Sequence, residues 1–135
     1  MPVSKKPRKK VVKEKRQSLR AATYSSIEEI RLKLIDIYKF MGDYTNLKDR
    51  LELSEENIKT FQEGIHTIGQ NFNEIATDLA KFKKHCDEQP EGTDFSEPLK
   101  GVQVFLLRMT SILEPLAVLS DIVMNSNEKG TVDEQ

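Results

Sequence analysis

The sequence predicts an all-α protein: three long helices forming an antiparallel coiled-coil-like bundle, with a disordered basic N-terminal arm and a short disordered C-terminal tail. Three observations predict it. Between residues 58 and 86 the apolar residues Ile58, Phe61, Ile65, Ile68, Phe72, Ile75, Leu79, Phe82 and Cys86 alternate at spacings of three and four without a miss. A stripe with that period keeps facing a partner helix along its whole length. Charged residues make up 32% of the 135 residues and hydrophobic ones 37%, with only 6 Gly and 5 Pro, the balance of a helical bundle rather than of a sandwich or barrel. Capping residues and helix breakers also fall between three such apolar patterns.

Residues 1–23 come first. They include the nine cations Lys5, Lys6, Arg8, Lys9, Lys10, Lys13, Lys15, Arg16 and Arg20, against the single acid Glu14. Like charges with two prolines and few apolar side chains cannot repay the entropy of ordering on their own, so these residues are expected to form a disordered arm. Residues 21–135 hold twelve basic and twenty-one acidic residues. The near-neutral total of −1 therefore conceals a basic arm on an acidic body.

The helical body is expected over residues 24–124. Helix 1, about 26–52, starts where Ser26 and Glu29 form a capping-box pattern. Its seam is Ile27, Ile30, Leu34, Ile37, Met41, Tyr44, Lys48 and Leu51, and the spacing passes Gly42 without a phase shift. At the next junction Ser54 is the cap, Glu55 and Glu56 complement the positive helix end, and Leu53 can staple onto Ile58. Helix 2, about 54–86, thus follows almost at once, which makes helices 1 and 2 an antiparallel hairpin.

Residues 87–95 form a polar loop marked by Pro90 and Gly92. Helix 3, about 96–124, is capped by Asp94 with Glu97 or by Ser96 alone, and Pro98 suits a first turn. Its seam reads Leu99, Val102, Leu106, Met109, Leu113, Leu116 and Val123, with Phe105, Ile112 and Leu119 beside it. Pro115 is expected to kink it near Ser111. The stretch from Val102 to Met124 is apolar, but Arg108, Glu114 and Asp121 interrupt it, and three charges would be costly in lipid. It therefore reads as a buried helix of a soluble protein. Residues 125–135 read as a disordered polar tail.

Leu32 and Ile35 lie off the seam of helix 1, and Val104, Leu107 and Val118 lie further round helix 3. They are the expected contacts to a partner helix, in a homo- or hetero-oligomer. Gly64, Gly69 and Ala76 flank the helix 2 seam and permit close approach of a neighbour.

Chemistry finds little support in the sequence. Glu63 and His66 have the E-x-x-H spacing of di-metal bundles, but the register puts both opposite the seam, so no metal ligand is assigned. His85 is also outside the seam, and Cys86 at a seam position reads as a small core residue. No nucleotide loop, zinc-ligand set or catalytic triad is present, so neither enzyme activity, cofactor nor small-molecule substrate is expected. The expected function is that of a helical interaction or scaffold subunit whose cationic arm contacts an anionic partner.

Two alternatives remain for the arm. One is a nucleic-acid-binding regulator that uses residues 1–20, with the bundle as its dimerisation module. The other is a membrane-surface adaptor, which the lack of large aromatics in the arm disfavours. Lys5 to Lys10 also has the density of a nuclear import address. A single cysteine and the absence of a secretory apolar segment set the expected compartment as intracellular, nuclear or cytoplasmic, not secreted.

Overall fold

The computed structural model describes residues 5–129, with side chains described from residue 11 onward. Helix α1 spans Lys5–Lys48, α2 spans Glu55–Asp87 and α3 spans Ser96–Met124, and each packs against the other two. Tyr44 and Ser120 share a hydrogen bond of 2.6 Å near one end of the bundle, and the rings of Tyr24 and Phe95 lie 6.2 Å apart at the other. Helices α1 and α3 therefore run parallel, with α2 antiparallel to both.

The start of α1 corrects the expected arm. The helix begins at Lys5, not near residue 26, so residues 5–23 are part of it, while residues 1–4 lie outside the described residues. Ser26 is not a cap but an interior residue. The physical reason is cooperativity: once the bundle has nucleated α1, each further residue adds a backbone hydrogen bond at little cost, and Lys, Arg, Glu, Gln and Ala all propagate helix well. Thr23 is fully buried and returns its hydroxyl to the Leu19 carbonyl at 2.7 Å, and Leu19 itself packs against the core. The seam residues Ile27, Ile30, Leu34 and Ile37 are all buried, and α1 passes through Gly42 unbroken.

Helix α1 stops at Lys48, four residues before the expected end, in a turn where the Arg50 N–H reaches the Leu47 carbonyl at 2.9 Å. Ser54 then caps α2 by accepting the Asn57 N–H at 3.1 Å, with Glu55 and Glu56 in the first turn. Within α2 the buried seam positions are Phe61, Ile68, Ile75, Leu79 and Cys86; Ile65, Phe72 and Phe82 are half-buried and Ile58 is exposed. A seam shared between two neighbours is covered most completely along its middle line. Gly64 makes part of this fit possible, because a Cβ there would lie 2.9 Å from Cδ2 of the buried Leu119.

The expected phase of α3 also needs correction. Val102, Phe105, Met109, Ile112 and Leu119 are buried, with Leu116 and Val123 packed beside them, whereas Leu106 is 40% exposed and Leu113 51%. The core row is thus 102, 105, 109, 112, 116, 119 and 123, again alternating three and four. Both candidate rows share Val102, Met109, Leu116 and Val123, and spacing alone cannot choose which flank is buried. At the start of α3, Asp94 accepts both the N–H and the hydroxyl of Ser96, at 2.9 and 2.6 Å, while Phe95 is the boundary residue and is fully buried. These bonds hold the Asp94 carboxyl below its usual range. The helix continues through Pro115 to Met124.

Part of the expected tail is tied down. The Glu52 N–H donates to the Asn127 carbonyl and the Lys129 N–H to the Arg50 carbonyl, both at 2.8 Å, so that Leu51 and Glu128 face each other in an antiparallel bridge. This closes the end of the bundle over the buried Leu51. Residues 130–135 lie outside the described residues.

Candidate functional site

Two surfaces carry the residues that the sequence singles out, at the basic end of α1 and along the outside of α3. At the basic end, Arg16 donates through Nη1 to the Gly92 carbonyl at 3.2 Å, and Arg20 donates through Nη1 to the Pro90 carbonyl at 3.4 Å. The Arg20 guanidinium also lies 4.9 Å from the Phe95 ring centroid and 5.8 Å from that of Tyr24, within reach of cation–π attraction. The α2–α3 loop is therefore the intramolecular partner of α1's last cationic turns. Sequence reasoning had no means of pairing segments some 70 residues apart.

A hydrogen bond of 2.7 Å from the Tyr24 phenol to Asp87 Oδ1 secures the same junction, and Lys83 Nζ meets the other carboxylate oxygen at 3.1 Å. These two donors hold the Asp87 carboxyl below its usual range. Burial, with Asp87 as its acceptor, pushes the Tyr24 phenol up to about 12. Cys86 is enclosed beside it; burial pushes its thiol up, which disfavours the reactive thiolate and fits a core residue.

Between the basic turns of α1 and the loop lies an open cleft of about 890 Å³, lined by Lys13, Arg16, Arg20, Tyr24, Glu91 and Thr93 among others. Lys13 and Lys15 are exposed. For Lys5, Lys6, Arg8, Lys9 and Lys10 the side chains lie outside the described residues.

The second surface is apolar. Leu32, Ile35, Val104, Leu107 and Val118, the expected partner contacts, are all exposed. On α3 the exposed residues fall on both sides of the core row: Leu106 and Leu113, seven residues apart, on one flank, and Val104, Leu107 and Val118 on the other. Ile35 lines a groove of about 350 Å³ between α1 and α2, together with Leu34, Tyr38, Phe72, Ala76 and Leu79. Among the described residues α3 is the one helix long and apolar enough to cross a membrane, and its core row is packed against α1 and α2.

Glu63, His66 and His85 are exposed, and among the described residues no three His, Cys, Asp or Glu side chains converge on a possible metal position. No protein-family model, no curated protein and no solved structure matches this chain.

Proposed function

We propose that the chain is a non-enzymatic helical interaction subunit, which joins an assembly by burying the flanks of α3 and the outer apolar residues of α1 against helices of another chain. One observation carries this reading. The α3 core row is already filled from within the molecule, with Ile112 and Leu119 at 0% exposure, yet Leu106, Leu113, Val104, Leu107 and Val118 stay in water on either side. Singly exposed apolar residues are ordinary, but two rows along one helix are what a further helical neighbour would cover.

Burial of side chains in the holes of a facing helix would supply the affinity. The test is a mass measurement of the full chain in solution, with and without co-purifying chains, repeated on the double variant Leu107→Glu, Val118→Glu. A self-complex or a stoichiometric helical partner that the double variant loses, with helix content unchanged, supports the reading. A monomer at tens of micromolar that retains no partner overturns it.

A further inference from the structure

The seam of α1 does not end where its apolar residues end. Read back from Ile37 it runs Leu34, Ile30, Ile27, Thr23, Arg20, Arg16, Lys13 in the same alternation of three and four, and the spacing continues in the sequence to Lys9 and Lys6. Its chemistry switches from apolar to cationic at Thr23. Because the register is kept, the row that packs against α2 and α3 within the bundle becomes, from Arg20 back to Lys13, a row of cations lining the cleft under the loop.

The cleft is positively charged in its own lining. Lys13, Arg16 and Arg20 oppose only Glu91. The neighbouring carboxylates have their hydrogen bonds elsewhere, Asp87 with Tyr24 and Lys83 and Asp94 with Ser96, and reach the cleft cations only through space, Asp87 towards Arg20 and Asp94 towards Arg16. Each guanidinium spends one N–H on a loop carbonyl, so four of its five donors remain and the fork is held in place. The Tyr24 ring lines the same cleft.

We propose that this cleft binds single-stranded nucleic acid, with backbone phosphates on Lys13, Arg16 and Arg20 and a base against the Tyr24 ring. A cationic groove with an aromatic platform is the combination that holds unpaired strands. From residue 13 to residue 20 the row covers roughly 10 Å of helix at 1.5 Å per residue. A span of that length favours a polymer over a single nucleotide. A duplex offers no base face to the ring. A lipid headgroup would use the cations but has no flat ring to lay against Tyr24. An acidic peptide would use the cations but gain nothing from the ring.

The inference is independent of the assembly reading, since it concerns the opposite chemistry at one end of the molecule. Its test is fluorescence anisotropy of the full chain with labelled twelve-nucleotide oligouridylate and oligothymidylate over a salt series. Binding should weaken with salt, and Lys13→Glu and Arg16→Glu should each weaken it and lower the log–log salt slope by about 1. Tyr24→Leu should bind several-fold less tightly than Tyr24→Phe, which keeps the ring. Lys39→Glu, on the exposed side of α1 within the bundle, should bind as the parent chain does. No binding at low salt, equal loss in Lys39→Glu, equal affinity for a duplex of the same length, or equal competition by polyglutamate would each overturn the proposal.

Discussion

The phenol of Tyr24, in the first helix, donates to Asp87, the last residue of the second, at 2.7 Å. This bond ties the basic end of α1 to the start of the α2–α3 loop. The phenol is pushed from 10.0 up to about 12. Its contribution to stability is therefore complete below pH 10 and is lost as the pH rises toward 12. Asp87 shifts the opposite way, so its contribution is present above its free value of 3.8 and is lost as the pH falls further. An absorbance titration should show a phenol ionising near pH 12, and Tyr24→Phe should abolish that step and cost about 1 kcal/mol at neutral pH.

The corrected phase of α3 makes a sharp contrast between adjacent residues. Ile112 is at 0% exposure and Leu113 at 51%. Ile112→Ala should cost about 2–5 kcal/mol in denaturant unfolding. Leu113→Ala should change stability by less than about 0.5 kcal/mol, as exposed substitutions do. Equal losses would restore the seam that spacing alone suggested.

Two helical glycines should respond in opposite senses to alanine. At Gly42 a Cβ would meet nothing within 4 Å, whereas at Gly64 it would press on Leu119 at 2.9 Å. Gly42→Ala should gain about 0.5–1 kcal/mol, from helix propensity and a less free unfolded chain. Gly64→Ala should lose stability, because the new methyl would press on both Cδ2 and Cγ of the fully buried Leu119, at 2.9 and 3.3 Å, and displace it from its packing. Thermal melts of the two variants check the sign.

A similar contrast applies to α2. Ile68 is fully buried, and Ile68→Ala should cost about 2–5 kcal/mol. His66, two residues earlier, is exposed, and His66→Ala should leave unfolding within about 0.5 kcal/mol. Chemical denaturation of both variants is the measurement.

Legibility differed between elements for physical reasons. The helical class and the Ser54 cap rest on local signals, period and side-chain chemistry, that a sequence displays directly. The phase of α3 did not, because apolar residues on three sides of one helix leave several stripes of equal period, and only the neighbours decide which is covered. The charge of residues 5–23 points to disorder only for a segment standing alone; attached to a nucleated helix they need only propagate it. The cleft was least legible of all. Its walls come from Arg16 and Arg20 on one side and Glu91 to Thr93 on the other, and nothing local in either segment announces the other.

The length of α1 has a mechanical consequence. As one helix of 44 residues it is a rod of roughly 66 Å, and the loop at its basic end and the Arg50 to Lys129 closure beyond its far end are both anchored to it. Whatever grips the cationic end is thereby held at a set distance and direction from whatever docks near the closure. The helix acts as a strut, converting two separate attachments into one fixed spacing.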